Sequence, residues 1–252
     1  MSRNFELLRE AGWRQELFEG LPTAPEPTHE EPVIPAETRR QPPVRNDQIS
    51  MLVRKVFLDP HRVRNRAVMF SSVARGAGCT WTCAQAAKTL AGAVSGDVCV
   101  VDANFEAPVL HEQFSVAGRV GLADAVFASK RAKEFVVRAG QKNLWMLPAG
   151  DVEKRALSLS NGPILESHLR ELRGDFDFLL IDGPPLTAGA HACSIGRAGD
   201  GAILVLNSAG IPPALLLNAR KQLDAAGLPL FGVVLNQRES GLPPLLDRLM
   251  KR

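Results

Sequence analysis

Residues 67–87, AVMFSSVARGAGCTWTCAQAA, constrain the fold more than any other stretch, because an apolar run, a glycine pair and an alanine-rich run follow one another directly. Ala67–Ser72 reads as a buried strand and Thr80 to about Val94 as a helix, with Gly76 and Gly78 breaking the chain between them. A strand that passes through a glycine loop into a helix N-terminus is the layout of a phosphate-binding loop, G-x-x-x-x-G-K-[ST]. In that register Val73 stands at the first glycine, Gly78 at the second, Cys79 at the lysine and Thr80 at the hydroxyl. The lysine that would neutralise the β- and γ-phosphates is absent.

The chain has 252 residues, 45% of them hydrophobic, enough for one large α/β core and a tail. Its formal charge of +3, from 30 basic and 27 acidic residues, gives no ground to expect nucleic acid or an anionic membrane as partner. No apolar run approaches the roughly 20 residues that span a bilayer, and the N-terminus is charged, so a cytoplasmic protein is expected. The four cysteines, Cys79, Cys83, Cys99 and Cys193, lie in or beside core elements and read as reduced, small core residues. Cys79 and Cys83 share a helix face at i,i+4, but no nearby His or Cys cluster completes a metal site.

Residues 1–20 place Phe5, Leu8, Trp13 and Leu17 among charges, as in a short amphipathic docking segment. Residues 21–46 carry seven prolines up to Val44 and read as an extended linker. The folded domain is expected over residues 47–252. It opens with a helix carrying Ile49, Leu52, Val53, Val56 and Phe57, which ends before Asp59 and Pro60. Further apolar strands are expected at 98–101, 144–147, 178–181, 202–206 and 231–235, and helices at about 121–128, 163–173 and 212–226. Short apolar strands alternating with helices imply a mostly parallel sheet covered on both faces. The C-terminal stretch places Leu245, Leu246 and Leu249 beside Arg248, Lys251 and Arg252 and reads as a packed terminal helix.

Ligands of such sheets bind beyond the carboxyl ends of the strands, so acidic residues there carry the chemistry. Asp102 closes Val98–Val101, and Asp182 closes Phe178–Ile181 ahead of Gly183, Pro184 and Pro185. Either carboxylate alone is as well explained as a turn former. Following a glycine loop in this order, the two are better explained as holders of Mg²⁺ or its waters.

With these segments in place, the chain resembles the bacterial tyrosine kinases of capsule and exopolysaccharide synthesis, within the MinD/ParA-like P-loop ATPases. The resemblance runs from about Asp47 to Asn236 through VVDAN (100–104), PVLH (108–111), LPAG (147–150), FDFLLIDGPP (176–185) and GVVLN (232–236). It implies a three-layer P-loop NTPase-like α/β fold, with ATP or ADP and Mg²⁺ as cofactors. It places Arg75, Gly76, Ala77, Gly78, Cys79, Thr80 and Trp81 on the nucleotide loop, with Thr80 and Asp182 on the metal. It gives Asp102 and Asp182 catalytic positions, the latter as the Walker B carboxylate, and Asn236 an adenine contact. It also implies a membrane-embedded polysaccharide chain-length regulator as partner, homo-oligomers, and recruitment to the inner face of the cytoplasmic membrane.

The chain departs from that pattern around the same site. Cys79 replaces the lysine, Asn104 a second aspartate, Glu106 a residue usually basic and His191 one usually acidic. Members of the family resemble one another in a C-terminal tyrosine cluster, whereas these 252 residues contain no tyrosine. The expectation is a regulatory, pseudokinase-like subunit with nucleotide binding weakened or lost. The alternatives are an active kinase or ATPase in which Arg75 or a partner's cation replaces the lysine, and a MinD/ParA-like positioning ATPase.

Overall fold

A computed structural model describes residues 46–59, 66–152, 162–188, 190–207 and 212–236. The proposed docking segment, nearly all of the linker and the terminal helix lie outside these residues. The first helix, α1 (Asn46–Phe57), leads into β1 (Ala67–Ser72), α2 (Cys79–Ala93) and β2 (Val98–Asp102). Then come α3 (Leu122–Ala128), β3 (Val137–Arg138), β4 (Leu144–Leu147), α4 (Gly162–Asp175) and β5 (Phe178–Asp182). The described order closes with α5 (Ala190–Gly196), β6 (Gly201–Asn207), α6 (Pro213–Ala225) and β7 (Leu230–Asn236).

The seven strands form one sheet in the order β3-β4-β2-β5-β1-β6-β7, parallel except for the β3–β4 pair. Every residue of β1, β2, β5 and β6 is buried, because helices cover both faces of a parallel sheet. Alternate side chains of each strand feed two separate cores. On one face Val68, Phe70, Val100 and Leu180 meet α1 and α2. On the other Met69, Val101, Ile181 and Leu204 meet α3 to α6. The apolar stripe of α4, Leu165, Leu169 and Leu172, is fully buried at helical spacing.

Each strand expected from an apolar run is present, as β1, β2, β4, β5, β6 and β7. The strand that periodicity misses is β3, two exposed residues too short to alternate. Periodicity also misses α5, which is only seven residues long, too short for a repeating pattern.

The order of strands positions the site. From β1 the chain crosses to β2, which is not its neighbour, and β5 later inserts between the two. The loop after β1 and the loop after β2 therefore flank the carboxyl end of β5, where Asp182 sits, and open sheets bind ligands at such a crevice.

Candidate functional site

The loop after β1 turns on two glycines. Gly76 (φ +82°) and Gly78 (φ +78°) both take the left-handed conformation that disfavours side chains. Gly78 is also the N-cap of α2, and no side chain caps that end; the Thr82 hydroxyl instead donates to the Gly78 carbonyl at 2.9 Å. The first turn of α2 carries no acidic residue, so its amide end is free of competing carboxylates on the helix itself.

Asn236, at the end of β7, donates its amide Nδ2 to the carbonyl of Ala77 at 3.0 Å. A Cβ placed on Gly78 would collide with that same amide. The residue expected to touch adenine thus braces the glycine loop from 159 positions away. Gly78→Ala should destabilise the domain by about 1–3 kcal/mol, through left-handed strain and loss of this brace. A denaturant midpoint equal to that of the wild type would contradict the described loop.

Asp102 and Asp182 are paired in register across β2 and β5, and both are buried. They differ in how their oxygens are used. One oxygen of Asp102 accepts the Asn104 amide at 3.2 Å and the other the Leu110 amide at 3.1 Å, so this carboxylate shapes the loop after β2. Both oxygens of Asp182 lack a well-formed hydrogen bond. Burial pushes Asp182 up to about 7, and the nearby Thr80 hydroxyl and Cys79 thiol offset only part of that rise. Burial, reinforced by the charge of Asp182, also raises Asp102 well above the carboxylate range.

The thiols take the opposite part to a lysine. Burial first, then the charge of Asp182, pushes both Cys79 and Cys83 up, which keeps them protonated and neutral. Cys79 keeps part of its residue surface exposed, yet its sulfur is enclosed beside the carboxylate. The position that would carry a positive charge therefore carries none, and two buried acids face each other without a cation.

Arg75, the basic residue of the loop, is turned to its rim, where its guanidinium forms an ion pair with Glu106 at 2.7 Å. Next to Glu106, the ring of Phe105 lies 6.3 Å from that of His191, which opens the region of α5. Burial lowers His191, and the charge of Glu106 partly restores it. The buried carbonyl oxygen of the Asn104 side chain has no partner. Trp81 is half-buried and packs on the α1/α2 face of the sheet. Three of the four departures noted in the sequence, Asn104, Glu106 and His191, thus gather on the loop after β2 and beside it.

Among the described residues no group of three or more His, Cys, Asp or Glu side chains forms a complete metal cage. The donor set nonetheless fits Mg²⁺, which keeps several waters and uses one or two carboxylates plus phosphate oxygens. Asp182 would supply the carboxylate and Thr80 the hydroxyl. The left-handed loop and uncapped α2 fit the phosphates.

A seven-stranded, mostly parallel sheet with this loop and these strand-end acids is the P-loop NTPase fold of the MinD/ParA type. The solved MinD of Pyrococcus horikoshii, in complex with Mg-ADP, superposes with a TM-score of 0.59 over 73% of this chain and 76% of its own, at 23% identity. The chimerical protein CapA2B2 superposes at 0.69, over 81% and 89% at 19% identity. The kinase domain of the Escherichia coli tyrosine kinase ETK superposes at 0.61, over 71% of each chain at 20% identity. No protein-family model matches the sequence.

The homologues of this chain are bacterial tyrosine-protein kinases. It is 25% identical over 174 residues to tyrosine-protein kinase YwqD of Bacillus subtilis, covering 69% of this chain and 73% of the relative. It is equally identical, over the same length, to tyrosine-protein kinase CpsD of Streptococcus agalactiae serotype III, covering 75% of that relative.

Proposed function

We propose that this chain is a regulatory, pseudokinase-like subunit of capsular or exopolysaccharide synthesis and export, which binds Mg²⁺-nucleotide weakly and acts by docking and assembly. The observation that carries this reading is the buried Asp182 carboxylate, with only the Thr80 hydroxyl and the Cys79 thiol to offset its burial, beside a phosphate loop whose lysine position holds a neutral thiol. Asp182 and Thr80 would hold Mg²⁺, which supplies the charge that screens phosphate from the acid pair. The loop of Gly76, Ala77 and Gly78 would orient the phosphates, and the absent lysine leaves the transferring phosphoryl group short of a charge-assisted contact.

These 252 residues offer no tyrosine to phosphorylate. Among the described residues no helix is long and apolar enough to cross a membrane. Recruitment to the inner face of the cytoplasmic membrane by a membrane-embedded chain-length regulator, and self-association, complete the proposal. An active tyrosine kinase is the competing reading, favoured by the homologues.

Calorimetric titration of the full chain with ATP and ADP, with and without Mg²⁺, tests the reading. Binding in the micromolar range or weaker is expected, dependent on Mg²⁺ and reduced by Asp182→Asn. Sustained phosphorylation of an added tyrosine substrate would overturn the pseudokinase part, and no binding at any Mg²⁺ level would overturn the nucleotide part.

A further inference from the structure

The Arg75–Glu106 ion pair joins two loops whose strands are not neighbours. Arg75 lies three residues past β1 and Glu106 four residues past β2, with β5 and Asp182 between them in the sheet. The contact therefore spans the mouth of the crevice that holds the acid pair. Its two side chains keep 51% and 40% of their surface exposed, so the pair is screened by salt and opens at little cost. Arg75 directly precedes the glycine turn, and a guanidinium donates to phosphate oxygens with the same fork that it offers a carboxylate.

We propose that Glu106 is a strap residue that competes with phosphate for Arg75. In the nucleotide-free protein Glu106 holds Arg75 across the mouth. On binding, a phosphate of the nucleotide displaces the Glu106 carboxylate, and Arg75 becomes the loop cation that position 79 lacks. The inference rests on the reading of the site as a nucleotide site and adds to it a residue that sets affinity. The loop after β2 is then the switching element, since Asp102 ties its backbone through Asn104 and Leu110 to the floor of the site.

Calorimetry of the full chain with Mg-ADP, at low and high salt, separates the possibilities. Glu106→Gln keeps the shape and removes the competing charge, so it should tighten binding by up to about fivefold, the worth of an exposed ion pair. Arg75→Gln should weaken binding by about tenfold or more, the loss of a charge-assisted contact. The double variant should bind like Arg75→Gln alone, because the competition with phosphate runs through Arg75. An unchanged affinity in Glu106→Gln, or a gain that survives in the double variant, overturns the exchange while leaving the nucleotide site in place. Failure of the wild type and all three variants to bind overturns both. Both side chains are exposed, so thermal unfolding of the variants should match the wild type.

Discussion

In the absence of divalent cations, Asp182→Asn is expected to make the protein more stable at pH 8, although it removes a residue of the site. Asp182 is raised from 3.8 to about 7 in the folded chain, chiefly by burial. Between those values the folded protein keeps a proton that the unfolded chain has released, so stability falls as the pH rises through this window. It levels off above the folded value. A rise of about three units corresponds to at most about 4 kcal/mol. The carboxamide of the variant would carry no charge at any pH, and it would relieve the repulsion that Asp182 exerts on Asp102. The measurement is thermal unfolding in EDTA at pH 5 and pH 8 for both proteins. The wild type should lose several degrees relative to the variant between the two, at about 2–4 °C per kcal/mol for a domain of this size. Mg²⁺ should recover part of that loss in the wild type and none in the variant. A variant less stable than the wild type at pH 8 would show that the carboxylate is satisfied after all.

Cys79→Lys attacks the same imbalance from the other side. The thiol at position 79 lies close enough to Asp182 to feel its charge, and it is held neutral there. An ammonium at this position would meet the Asp182 carboxylate in the nucleotide-free protein and the phosphates in the complex. A charge-assisted contact contributes about 1.5–3 kcal/mol, so affinity for Mg-ATP should rise by about tenfold to a hundredfold. The variant should also show a flatter loss of stability between pH 5 and pH 8, because the introduced ammonium neutralises Asp182. Unchanged affinity by calorimetry would mean that the loop has lost its phosphate geometry and not merely its charge. Restored binding without tyrosine phosphorylation would separate the two losses.

Much of this was legible in the chain alone. The strands were readable because a sheet buried on both faces demands uninterrupted apolar runs, as in FLLID at the end of which Asp182 stands. The same rule marked Asp102 and Asp182 as site residues, since polar side chains appear only where such runs end. The glycine loop was readable because Gly76 and Gly78 supply left-handed turns that few other residues tolerate. The substitution at Cys79 needed only the register of that loop.

What the residues by themselves determined is therefore the parallel α/β fold, the glycine loop with a cysteine at position 79 and the two acids at strand ends. Tertiary structure alone decided how those acids are used. Asp102 and Asp182 look alike in sequence, yet backbone amides hold the first, whereas the second has only the Thr80 hydroxyl and the Cys79 thiol near it. It also decided that Asn236 braces Ala77 across 159 positions and that Arg75 meets Glu106 across 31. Neither contact follows from local pattern, because each depends on the order of the strands across the sheet, and that order is set by the packing of whole helices and strands.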